Sequence, residues 1–363
     1  MNPTFGYSFP AIRGIQAGRE YYVSMCPLRL IPKIFQFDEE EMAPEVRAQR
    51  ILNKARIPEM SRYMTENAED YTFSALTASV DGEVEFTPLG EASGGSCVGA
   101  LHIDMDARFI INDGQHRRAA IEIAIRERPE LADETIAVVF FLDIGLTRSQ
   151  QMFADLNRYA IRPSRSLSLL YDHRDDGARL TKLIVLKTSI FKNVVEMEKS
   201  TLSTRSSKLF TLSSLYTANT ALFNGFDGKE IDDLAIMATE YWGEIAKAIS
   251  EWARVGERKM SAAEVRQGFI HSHGIALQAL GKVGNVLIQQ PSQEWKKKVK
   301  KIKTIDWSRS NSKVWEGRAM TGGRVTKSMN NVTLTTNYLK NHLDLPLTPE
   351  EQRIEDAFLK GEK

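Results

Sequence analysis

Five consecutive residues, Asp113-Gly114-Gln115-His116-Arg117, put a carboxylate, an imidazole and a guanidinium on one turn, with Arg118 directly after. Apolar Phe109 to Ile111 before it read as a strand, and Arg118 to Arg128 after it as a helix halted by Pro129. The first N–H groups of a helix lack internal partners and the dipole there is positive, so a turn entering a helix attracts anions. Gly114 lets backbone approach a phosphate, Gln115 lies beside it, and Arg117 and Arg118 can donate charge-assisted hydrogen bonds to its oxygens. Two arginines oppose the dipole at this helix end, a choice that an anionic partner offsets. Asp113 could orient His116, hold a metal or act as a base, while His116 could donate to phosphate or serve as general acid. The structural alternative makes Asp113 the helix N-cap and leaves His116 bonded to backbone.

Asn157, Arg158, Arg162 and Arg165, around Pro163, could line the same phosphate site or simply close a solvated helix end. Asp172-His173-Arg174-Asp175-Asp176 reads as a charged helix end, because neighbouring side chains on a helix diverge. His271 and His273 are too close for the i, i+4 geometry of a helical metal pair and read as packing or hydrogen-bonding residues. No metal site is expected.

Six lysines follow Trp295 within eight residues: Lys296, Lys297, Lys298, Lys300, Lys301 and Lys303, with Arg309, Arg318 and Arg324 beyond. Such a run neutralises phosphates, and about five duplex contacts would give a slope of log affinity against log salt of roughly −4.5. A solvated helix face is the bland alternative. The region from Gly322 to Leu343, with Arg324, Lys327, Asn330 and Asn331 near a helix start, is a candidate for groove readout.

The 363 residues carry 48 Lys plus Arg against 47 Asp plus Glu, a net of +1 that by itself gives no sign of a nucleic-acid partner. Pro291 to Leu345 holds 12 basic and 4 acidic residues, a local +8, so the remainder carries −7. With only Cys26 and Cys97, a disulfide framework and a thiolate zinc site are excluded, and a reducing cytoplasm is expected. No apolar run reaches the roughly 20 residues a bilayer span needs, so no membrane partner is expected.

The elements that must position these groups are interleaved in the first half. Tyr21 to Phe37 reads as a strand and extended segment; Pro44 to Asn67 as two helices, the second opened by Pro58; Tyr71 to Val80 as a strand ended at Asp81-Gly82. Ala100 to Asp104 and Arg108 to Asn112 read as a strand pair, Ile136 to Leu142 as a strand buried on both faces, and Thr147 to Asn157 as a helix. Beyond Ser166 the periodicity is helical: Leu167 to Leu186, Ser206 to Phe223, Glu230 to Trp252, Ala262 to Gln289, Trp295 to Ile302 and Val325 to Leu343, with Trp242, Trp252 and Phe269 as core anchors. The expected class is α+β, with a mixed domain over 1–165 and a helical domain with the basic region over 166–363.

Asp113 to Arg117 is the DGQHR signature, and the chain resembles the DndB-type DGQHR proteins of DNA sulfur modification (phosphorothioation) clusters. The strand-Gly-x-x-Arg-helix arrangement is similar to the ParB and sulfiredoxin group, in which this turn holds nucleotide phosphates. Arg50 to Tyr63 resembles that group's helical segment before the sheet, and Met152 to Arg158 is similar to the Phe-x-x-x-Asn segment that follows the motif in DGQHR and related DUF262 proteins; Asp306 to Arg309 and Trp315 to Arg318 are DndB-like. Sulfiredoxins carry a catalytic Cys where Gln115 stands, so their reductase chemistry is excluded. The resemblance implies a ParB/sulfiredoxin-like N-terminal domain and a DNA-binding regulatory or accessory role. It also implies a nucleotide such as ATP, with Mg, at Gly114, Gln115, Arg117, Arg118 and Asn157, and the cluster's modification enzymes as partners. Catalysis by Asp113, His116 and Arg117, as an ATPase or DNA nickase, is the alternative; no Walker-type loop is present.

Overall fold

The computed structural model describes residues 6–35, 56–91, 95–142, 151–152, 155–156 and 163–361. Two compact units divide the chain, Met1–Ile161 and Arg162–Lys363.

The first unit is built on one seven-stranded mixed sheet: β1 (Gly6–Gln16), β2 (Arg19–Pro27), β3 (Leu76–Asp81), β4 (Val84–Pro88), β5 (Val98–Asp104), β6 (Arg108–Asp113) and β7 (Thr135–Leu142), in the order β4-β5-β1-β2-β7-β3-β6. All pairings are antiparallel except β3 with β7. The expected pairing of β5 with β6 does not occur: β5 lies between β1 and β4, and β6 pairs with β3. Two residues join β3 to β4 and three join β5 to β6, although these partners stand at opposite ends of the strand order. Each pair is therefore one long strand bent at a corner, and the sheet curls until its ends meet there. Gly82 permits the corner, since a Cβ on it would sit 2.5 Å from the Ala107 Cβ.

β7 also departs from expectation. Ile136, Val138 and Phe140 are buried while Ala137, Val139 and Phe141 are half-covered, so it is a one-sided strand that β-branched and aromatic residues suit equally well. The helix Ile57–Glu66 matches the one expected to open at Glu59 after Pro58 and starts two residues earlier; its expected predecessor lies outside the described residues. So does most of the segment from Thr147 to Asn157.

The second unit is helical, and three long helices expected there are each broken. Leu167 to Leu186 becomes Arg165–Tyr171 and Asp176–Lys187. Between them Asp172 Oδ1 accepts from the Arg174 and Asp175 amides, and Asp175 then caps the second helix at the Ala178 amide, 2.9 Å. The Asp-rich segment is thus the charged helix end expected of it. Glu230 to Trp252 becomes Ile231–Ala248 and Ser250–Gly256, and Ala262 to Gln289 becomes Ala262–Gly268 and Gly274–Leu287. Trp242 and Trp252 are fully buried, as expected; Phe269 is half-buried and stacks on His271. His271 accepts from Trp252 Nε1 at 3.0 Å and His273 Nε2 donates to the Arg266 carbonyl at 2.9 Å, the packing and bonding roles read for both. No described helix is long and apolar enough to cross a membrane.

Candidate functional site

β6 ends at Asp113 and the helix Gln115–Glu127 begins at once, with Gly114 between them at φ +105°. Only glycine adopts this backbone without strain, and the site is also crowded: a Cβ there would lie 2.4 Å from Leu76 Cδ2 and 2.9 Å from Arg117 Nη2. Gly114→Ala is expected to cost roughly 1–3 kcal/mol, read by chemical denaturation; wild-type stability in that variant would show that the turn is not held as described.

Asp113 is not the N-cap. Gly114 holds that position without a side-chain cap, and Asp113 Oδ2 instead takes Arg117 Nη2 at 2.6 Å. Arg117 also reaches the Ala75 carbonyl at 3.2 Å and the Ser74 hydroxyl, so it fastens the new helix to the chain entering β3. Arg118 is buried, donating to the Phe35 carbonyl at 2.9 Å and the Pro32 carbonyl at 3.0 Å and pairing with Glu122. This corrects its assignment to phosphate: its donors are spent on backbone oxygens that would otherwise be orphaned. The first turn of the helix holds no acid, and its leading amides have no side-chain cap.

Buried Gln115 keeps its amide nitrogen without a partner, and fully buried Asn112 leaves its Oδ1 unpaired while its Nδ2 donates to Ser79 Oγ at 2.7 Å. Asn112 and Ser74 were not singled out in the sequence; a polar residue closing the apolar run Arg108–Asp113 was the available signal for the first. His116 is half-buried, and desolvation first, then Arg56 and Arg117, hold its pKa below the usual imidazole value against the pull of Asp113. Asn157, Arg158 and Arg162 lie outside the described residues, and Arg165 stands over the Tyr216 ring in the second unit. Among the described residues no group of three His, Cys, Asp or Glu side chains could hold a metal.

The lysine run occupies the helix Ser292–Val299 and the 3-10 turn Lys300–Thr304. Trp295, Val299 and Ile302 face the core, so alternate residues are driven outward. Lys296 pairs with Glu240 and Lys301 with Asp344. Lys297, Lys300 and Lys303 are exposed and make no ion pair among the described residues; Lys298 is half-covered and only attracts Asp344 from a distance.

The cations further on divide differently. Arg309 donates to the Gln267 and Gly323 carbonyls at 3.3 and 3.2 Å. Arg324 is exposed, but it belongs to a small hairpin, Met320–Thr321 with Arg324–Val325, rather than to a helix start. The helix begins only at Met329, capped by Ser328, and Asn331 is turned inward onto the Arg318 carbonyl. Arg318, expected on DNA, is 7% exposed and grips Glu355 with both terminal nitrogens. Burial with a fixed carboxylate partner removes it from the phosphate-binding set.

The model of the DndB family, described as DNA-sulfur modification-associated, matches residues 9–346. The chain belongs to the DndB family. The match takes in both the DGQHR turn and the lysine face, and it places this DndB-family chain in the DNA sulfur modification system. No curated protein and no solved structure matches it.

Proposed function

We propose that this chain is a DNA-binding regulatory or accessory protein of the phosphorothioate modification system, gripping the duplex backbone through Lys297, Lys300 and Lys303, with Lys298 and exposed Arg324 contributing. The observation that carries the reading is the outward row of lysines without carboxylate partners among the described residues, beside a buried tryptophan, on a chain whose family is DNA-sulfur modification-associated. Phosphate contacts of this kind position a protein without reading sequence. Regulation of the modification cluster and contact with its enzymes are the roles the family suggests for such a grip, and the cytoplasm is where they would be exercised.

The DGQHR turn is read as an anion site of ParB-like type. An uncapped helix start, the unpartnered Gln115 amide and the positive φ of Gly114 fit a nucleotide phosphate. Arg117 would have to leave Asp113 or hold it as a bridge. A nucleotide that prefers the DNA-competent state would raise DNA affinity by its differential affinity for that state. The enzymatic alternative draws on His116, whose pKa burial and the charges of Arg56 and Arg117 lower against the pull of Asp113; ATP turnover or plasmid nicking abolished in both Asp113→Ala and His116→Ala would establish it.

The DNA reading is tested by fluorescence anisotropy of a labelled duplex titrated with the full chain across a salt series. Three unpaired lysines predict a slope of log affinity against log salt at least as steep as roughly −2.7. Affinity independent of salt would remove the reading.

A further inference from the structure

A cavity of about 490 Å³ lies wholly within the second unit, between the segment at 200–211 and the start of the helix Gly274–Leu287. Three cations, Arg165, Arg266 and Lys327, line it together with His273 and a series of serine and threonine hydroxyls; no aspartate or glutamate does. A wall with that charge and no counter-charge is unusual for a cavity left to water alone.

The helix entering it is long enough to matter. Gly274–Leu287 has 14 residues, no side-chain cap and no acid in its first turn. Its first internal bond runs from the Leu277 amide to the His273 carbonyl, so the amides of Gly274, Ile275 and Ala276 lack a helical acceptor. The neighbouring helix Leu212–Leu222 closes its own start with a Thr211–Ser214 capping box, whereas the start of Gly274–Leu287 carries no side-chain cap.

A second feature points to a ligand independently. Ser272 is 6% exposed and lines the cavity, yet its hydroxyl oxygen has no hydrogen-bond partner. A buried unsatisfied hydroxyl is costly, and a ligand oxygen would satisfy it. Lys327 stands at the same entrance: a Cβ on Gly274 would be 3.8 Å from its Nζ. It makes no ion pair among the described residues, and desolvation, then the charge of Arg165, depress its pKa. Arg266 is already held by the carbonyls of Ser203, Thr204, Ser206 and Lys208, which shapes the loop and leaves a positive charge behind it.

We propose that this cavity binds the phosphate of a small molecule, either inorganic phosphate or a mononucleotide, through the open Gly274 amide, the Ser272 hydroxyl and the Lys327 ammonium, with Arg165 as an outer charge. The volume is that of a small-ligand pocket, and duplex DNA, which lies across open surface, would not reach Ser272. The site shares no residue with the DGQHR turn or the lysine face, so it stands or falls separately from the DNA reading.

The test is calorimetric titration of the full chain at low ionic strength, with inorganic phosphate and with AMP in separate runs. Saturable binding of at least one probe is expected, weakened roughly tenfold or more in Lys327→Gln and several-fold in Ser272→Ala, and unchanged in Lys192→Gln, an exposed residue outside the cavity. Tighter binding of AMP than of phosphate assigns a nucleotide; equal binding assigns the free anion. Both variants are expected to fold, since Lys327 is exposed and Ser272→Ala removes one unpaired oxygen. The proposal is overturned if neither probe saturates, if affinity is the same in both variants as in wild type, or if only duplex DNA depends on Lys327 and Ser272.

Discussion

Arg318→Ala is expected to destabilise the second unit by roughly 3–5 kcal/mol, the cost of stranding a buried charge. Nη1 lies 3.0 Å from Glu355 Oε2 and 2.7 Å from the Leu334 carbonyl, and Nη2 lies 2.5 Å from Glu355 Oε1. The guanidinium carbon also sits 4.6 Å from the Phe358 ring centre and 5.8 Å from that of Tyr338. One side chain thus ties the turn after the helix Ser312–Trp315 to both terminal helices, Met329–His342 and Pro349–Leu359. Removing it leaves Glu355, itself 4% exposed, without its cation. Replacing both partners, as Arg318→Met with Glu355→Leu, should cost much less, because no lone charge remains. By contrast Lys301→Ala breaks an exposed, solvent-screened pair with Asp344 and should leave stability nearly unchanged. Urea denaturation of the three variants gives the comparison; a loss under 1 kcal/mol in Arg318→Ala would refute the pairing.

Acid should act on the same unit through His271. Trp252 Nε1 donates to its Nδ1, its Nε2 is buried without a hydrogen-bond partner, and Glu251 Oε2 is 3.7 Å away. Burial, with a smaller contribution from His273, pushes its pKa down to about 3. In the unfolded chain this imidazole takes a proton near pH 6.5, whereas in the folded chain it stays neutral until far lower pH. Stability from this group is therefore intact above pH 6.5 and is lost progressively as pH falls toward 3, at about 1.4 kcal/mol per unit. Between pH 6 and 4 the loss is roughly 3 kcal/mol. His271→Asn should flatten the pH dependence by that amount, whatever its own stability at neutral pH. An unchanged slope would mean that His271 is not buried neutral.

These residues show what could be read from the chain and what could not. The α+β class followed from the apolar strands around Arg108–Asp113 and Thr135–Leu142 and from the helical periodicity beyond them. Strand order did not follow, because a two-residue corner at Gly82 looks in sequence like a turn between neighbours. Helix breaks were missed where short helices keep the same face on one core: the apolar period runs through Phe269 to His273 although the backbone turns there. The helix Pro349–Leu359 was also missed, despite Thr348 and Glu351 forming a capping box at its start. At the site, the turn was located correctly, but a guanidinium reads the same whether it meets phosphate or carboxylate. Burial sent Arg118 and Arg318 inward, and only packing could reveal that.

The central claim is that the outward lysines hold DNA by its phosphates. It is tested most directly by comparing wild type with Lys297→Gln, Lys300→Gln, Lys303→Gln combined, in the same salt series on the same duplex. All three side chains are exposed, so the fold is expected to be unaffected. The variant should lose roughly 2.7 from the magnitude of the log affinity against log salt slope, about 0.9 for each lost contact. Identical slopes and affinities in the two proteins would contradict the account.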